Sequence, residues 1–201
     1  MRYRWGWIVW AALAASLAGI TALGQADLDQ FPAGATTMTY RIESEETSEP
    51  QTLELVVIVR ADGRFTVRMT TEATGTGDEL SGFGFLFGAT SVAYGAGRGV
   101  SYSALQALID QRSRLQEGQD YLLPGGAEFS EIIGVDIAGV GCLQGTFIDP
   151  KQPNTQMTVA FGLTHPVFIS PRIVAREMRN GEWTETFRME LTEYVHAESE
   201  E

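Results

Sequence analysis

Cysteine, lysine and histidine are nearly missing from these 201 residues: one cysteine, Cys142, one lysine, Lys151, and two histidines, His165 and His196. A lone cysteine cannot close an internal disulfide, so the chain is no small cross-linked scaffold and its core must hold by burial. Histidines so far apart share no zinc-ligand spacing, and Cys142 adds no local partner. No metal and no cofactor is therefore expected. Basic residues are also few, with 14 Lys and Arg against 26 Asp and Glu and a net charge of −12. That balance argues against nucleic acid and against strong binding to anionic membrane surfaces, which both reward clustered Lys and Arg. Gly-x-Ser-x-Gly and Ser-x-x-Lys are both absent, so no serine nucleophile is advertised.

Long apolar runs are equally scarce, and the one that exists lies at the start. Arg2 and Arg4 precede an apolar stretch from Ile8 to Ile20, and the small residues Ala22, Gly24 and Ala26 follow it. Basic front, apolar middle and small-residue end read as an export signal over residues 1–26, cleaved before Gln25 or Asp27. A retained anchor over residues 5–24 is the alternative, since that length approaches the ~20 residues of a membrane span and Trp5, Trp7 and Trp10 resemble interfacial aromatics. No cysteine stands at the cleavage region, which argues against a lipid-anchored lipoprotein. Either way the remainder, 27–201, is placed outside the cytoplasm, periplasmic or secreted. Its roughly 175 residues suffice for a single β-rich domain with a full core.

Along that remainder the dominant period is two, the mark of strands. Met38, Tyr40 and Ile42 alternate with Thr37, Thr39 and Arg41, and Phe65, Val67 and Met69 alternate with Thr66, Arg68 and Thr70. Further strands are expected at 53–60, 121–123, 132–140, 143–148, 157–163, 173–178 and 183–194. Asp62-Gly63 and Asn180-Gly181 are tight-turn pairs, because Asn, Asp and Gly tolerate the positive φ that two-residue hairpin loops require. Nine short strands at this spacing predict a mainly β fold, an antiparallel sandwich or a full or half-barrel, with one amphipathic helix. In that helix Ser103 caps, Gln106 answers three residues later, and Leu105, Leu108, Ile109 and Leu115 share one side. Gly118 ends it.

Two segments stand apart from the strand pattern. Eight glycines fall between Gly75 and Gly99, with Phe83, Phe85, Leu86 and Phe87 among them. This reads as a kinked buried strand, or alternatively as a mobile apolar flap over a cavity. The helix face is the other segment. Phe83, Phe85, Phe87, Leu105, Leu108 and Ile109 are accordingly the candidate residues for an apolar ligand.

Other chemistry fails on inspection. Gly139-Val140-Gly141 after an apolar strand mimics a dinucleotide fingerprint, but Gln144 replaces the third glycine and β-like residues follow instead of a helix. His196-Ala197-Glu198 lacks the Pro-Cys-x-x-Cys of a deaminase. Asp136, Glu185, Glu190 and Glu193 are the carboxylates that could serve a hydrolase. Asp136 is expected to point outward by alternation, and Cys142 to be a small buried hydrophobe.

These readings predict an exported, non-catalytic domain that binds or carries an apolar, lipid-like ligand in the cell envelope. The alternative is a structural or assembly module that binds an envelope protein by its sheet face or edge; a hydrolase built on strand carboxylates comes third. The half-barrels that carry lipoproteins in the bacterial periplasm share this outline of hairpins, helix and strands, a likeness of architecture.

Overall fold

Alternation of apolar and polar residues builds one antiparallel sheet of nine strands in this computed structural model, which describes residues 28–45, 47–77 and 102–198, the side chains of 102–106 excepted. The strands are β1 (Gly34–Ser44), β2 (Gln51–Val59), β3 (Phe65–Glu72), β4 (Tyr121–Leu122), β5 (Glu128–Ile137), β6 (Val140–Ile148), β7 (Thr155–Gly162), β8 (Arg172–Arg179) and β9 (Glu182–Ala197). Their order is β3-β2-β1-β9-β8-β7-β6-β5-β4. The first three strands thus join the last six through the β1·β9 ladder, and among the described residues the sheet stays unclosed, with β3 and β4 at its ends. The expected mainly β fold with nine strands is what forms.

One face carries the core. Directly opposed residues share a face in an antiparallel ladder, so Met38, Leu55 and Met69 form one row across β1, β2 and β3, and Phe147, Met157 and Ala175 another across β6, β7 and β8. Met38, Tyr40, Leu55, Phe129, Phe147, Met157, Met189 and Leu191 are essentially inaccessible to water. Helix α1 (Tyr102–Gln111) continues as a 3-10 turn over Arg112–Arg114, and its Leu108 and Ile109 enter the same cluster.

Two threonines bend the longest strand. β9 carries an extra residue opposite Thr39/Tyr40 and another opposite Ala175/Arg176. The first is Thr192, whose hydroxyl donates to Thr39 C=O at 3.1 Å; the second is Thr186, whose hydroxyl reaches Ala175 C=O at 3.5 Å. Each bulge shifts the side-chain parity. Phe187, Met189 and Leu191 therefore give way to Tyr194 opposite Met38 on the core face.

Local expectations hold or shift for identifiable reasons. Asn180 and Gly181 both take positive φ, 54° and 88°, between the paired Arg179 and Glu182. At Asp62-Gly63 the loop has three residues, because Arg60 N–H donates to Arg64 C=O and Gly63 alone is left-handed at 77°. The expected strand 132–140 is split: Ala138 and Gly139 form the turn, and Val140 opens β6. Asp136 faces water and accepts the Gly139 N–H at 3.0 Å, closing that turn. Ser103 is not the cap of α1 but its second residue, since the helix opens at Tyr102. No helix among the described residues is long and apolar enough to cross a membrane, and residues 1–26, the expected export signal, lie outside them.

Candidate functional site

The core face is filled where it is described. Between β7 and β8 residues 163–171 run as a strap across it, burying Val167, Phe168 and Ile169 against β1. Tyr40 Oη donates to Ile169 C=O at 2.9 Å, Phe168 N–H donates to Met38 Sδ at 3.5 Å, and Tyr194 Oη donates to Pro166 C=O at 3.2 Å. Burial holds the Tyr40 phenol far above its ordinary ionisation range. Of the candidate ligand residues, Leu108 and Ile109 sit inside this packed cluster, exposed by 0% and 5%. Leu105 belongs to α1 but its side chain lies outside the described set, as do Phe83, Phe85 and Phe87 entirely.

The carboxylates named from sequence are engaged on the outer face. Glu190 accepts from Arg172 at 2.7 Å and from Arg188 at 3.3 Å, and these guanidinium bonds hold its carboxyl below the usual range. Arg188 grips Glu185 with two bonds of 2.8 Å, and Glu193 meets the Thr39 hydroxyl at 3.5 Å. Arg172 also reaches Gln144 at 2.7 Å, so one arginine ties β9 to β6. These contacts brace the sheet. Glu190, with its lowered carboxyl, is a poor proton donor near neutral pH. Cys142 is buried, its thiol donates to Val140 C=O, and burial together with the nearby Asp136 charge pushes it up to about 11. No group of three His, Cys, Asp or Glu side chains among the described residues is arranged to hold a metal.

An uncovered part of the core face lies at β3. Phe65, Val67 and Met69 oppose Val59, Val57 and Leu55, so they continue the apolar face outward. There, burial stops. Val57 and Leu55 are fully buried, whereas Val67 and Met69 are 40% and 37% exposed. The backbone points the same way. Arg60 N–H donates to Arg64 C=O, with Gly63 N–H donating to Arg60 C=O, so Arg60 and Arg64 stand at a hydrogen-bonded position of the ladder, and such positions alternate with non-bonded ones. Thr66, Arg68, Thr70 and Glu72 therefore aim their N–H and C=O groups at β2. Phe65, Val67, Met69 and Thr71 aim theirs at the free edge, where no strand pairs with them among the described residues. Eight residues of open edge beside an apolar face form the arrangement that accepts an added strand: main-chain bonds along the edge, alternate side chains on the face. Sequence reasoning found the alternation in this strand and missed its exposure. No local signal separates an edge strand from a central one here, because β3 lacks the proline or the lysine that often marks an edge.

Fold and edge together define a class, an antiparallel sheet whose described strands leave it open, with a filled core face and, among the described residues, an apolar edge at β3 that no strand covers. No family model and no curated protein matches the chain. Among solved structures it is similar to the crystal structure of MucB, at 11% identity and a TM-score of 0.45, over 95% of this chain and 61% of that one. It is likewise similar to MucB in complex with MucA(peri), at 11% identity and a TM-score of 0.44, over 92% of this chain and 57% of that one. The chain thus spans about three fifths of the neighbouring chain's length, and a likeness of this degree says nothing of ligand or partner.

Proposed function

We propose that this chain is an interaction module of the cell envelope, which takes an extended segment of a second polypeptide chain onto the β3 edge of its sheet. The supporting observation is the coincidence at β3 of outward-directed backbone groups with the exposed Val67 and Met69. Location in the envelope follows from reading residues 1–26 as an export signal. Carriage of an apolar ligand needs a void lined by core-face side chains. The near-complete burial of those side chains, with the strap bonded across them, favours the protein-binding reading instead.

Proline offers a selective test. Met69 N–H points away from β2, so Met69→Pro removes a donor from the free edge and none from the β2·β3 ladder. A photo-crosslinking amino acid at position 67, in the exported protein in its own cells, should trap a discrete envelope polypeptide, and Met69→Pro should abolish that adduct with an unchanged circular dichroism spectrum. No adduct, or one indifferent to the proline, would overturn the reading. Saturable uptake of a fluorescent fatty acid with no protein adduct would restore the apolar-ligand alternative.

A further inference from the structure

An edge left free among the described residues can be filled by any extended chain, and the side chains of β3 single out one, namely another β3. We infer that the edge pairs with the β3 edge of a second copy about a two-fold axis at Thr70, joining two sheets into one. This rests on the edge reading above and names a partner for the same edge.

Symmetry restricts the choices. Two copies of one strand pair antiparallel about a two-fold axis, and each register places residue i opposite a residue whose number is a fixed sum minus i. Residues sharing a face must oppose one another, so that sum is even. Because Phe65, Val67, Met69 and Thr71 carry the outward backbone groups, they make the hydrogen-bonded pairs of the new ladder. Thr66, Arg68, Thr70 and Glu72 fall in the non-bonded pairs, where side chains approach most closely.

Charge then separates the registers. With the axis at Arg68, two guanidinium groups face each other at close range, and the Glu72 of each copy meets only Arg64, whose guanidinium Asp62 already holds. With the axis at Thr66, Arg64 faces Arg68 of the other copy, and this happens twice. With the axis at Thr70, Arg68 faces Glu72 of the other copy, also twice, and like charges meet nowhere in the strand. Opposed charges across a ladder are favourable and like charges are not. Arg68 and Glu72 are both exposed, and neither is engaged in a salt bridge among the described residues. On the apolar side this register sets the long Met69 against the short Thr71, and Val67 against Ala73. Bulk meets small side chains, and the exposed Val67 and Met69 become covered. Axes at Val67 or Met69 put no opposite charges of the strand together. Attraction between the copies has to work against a chain charge of −12, which makes the two Arg–Glu contacts the discriminating element.

The register is read most directly by an engineered disulfide. The one native cysteine is buried, so Thr70→Cys adds a single accessible thiol, placed on the axis. Directly opposed non-bonded positions lie within disulfide reach. Under mild oxidation the full exported chain carrying Thr70→Cys should run as a covalent dimer, while Arg68→Cys should not. In sedimentation analysis Arg68→Glu and Glu72→Arg should each weaken self-association about tenfold, and the doubly exchanged chain should return to near the starting affinity. Circular dichroism of each variant shows that the fold is kept. A chain that stays monomeric at all accessible concentrations overturns the inference, as does crosslinking at Arg68→Cys or a double exchange that fails to recover. If self-association is absent while the position 67 adduct with another envelope protein remains and is lost in Met69→Pro, the edge reading stands and this inference alone falls. Loss of both means the edge is unused.

Discussion

The tip of the Phe129 ring points at the backbone of Gly145: a Cβ on Gly145 would lie 2.6 Å from Phe129 Cζ, with both Cε atoms at 2.9 Å. Phe129 is fully buried and packs edge-on to Phe161, at 5.8 Å between ring centres. Gly145→Ala should therefore destabilise by about 1–3 kcal/mol, as overpacking in a closed core does. Urea unfolding measures it. Adding Phe129→Leu should return part of the loss, because the two sites share one space, and strictly additive effects would refute the contact.

Gly181 holds a φ of 88° after Asn180 at 54°. A β-branched residue there is strained although nothing crowds the position. Gly181→Val should cost about 1–3 kcal/mol. A neutral result in thermal or urea unfolding would remove the strain from this turn.

The strap depends on Tyr40. Its hydroxyl is the buried donor to Ile169 C=O, and Tyr40→Phe leaves that acceptor unpaired while filling nearly the same volume. Stability should fall by about 1–2 kcal/mol. Hydrogen exchange should rise across residues 163–171 more than in β6 or β7, and a uniform rise would mean the bond does not hold the strap locally.

Alkaline pH should weaken the fold. The Cys142 thiol moves from an ordinary value of 9.0 to about 11 on folding, and burial raises Tyr40 as well. In each case the unfolded chain loses its proton first. The stability tied to Cys142 is then complete below pH 9 and is lost as pH climbs to 11. The urea midpoint should drop across that interval, and Cys142→Ala should make the drop shallower. Glu190 works in the opposite direction: its lowered carboxyl contributes stability above the ordinary 4.5 that is lost on acidification through the folded value.

What the residues by themselves determined is local. Alternation sets which side of a strand each residue faces, so the core positions Met38, Tyr40, Ile42, Phe187, Met189 and Leu191 were legible, as were the Asn180-Gly181 turn, the outward Asp136 and the buried Cys142. Side-chain parity and left-handed backbone are properties of two or three neighbouring residues. Of the candidate ligand residues, Leu108 and Ile109 were legible as one helix face, but that face meets a packed core. The tertiary structure alone decided the rest. Residues 164–171 show no period among their apolar members, and only pairing with Met38 and Tyr40, about 130 positions away, makes them part of a strap. Thr186 and Thr192 look like ordinary outward residues of β9 until β8 and β1 are alongside to define the bulges. Among the described residues β3 is an edge because β1 pairs with β2 and β9, a contact spanning more than 150 residues, and no strand pairs with the far side of β3. Which strands are neighbours depends on contacts distant in sequence, and no window of the chain encodes them.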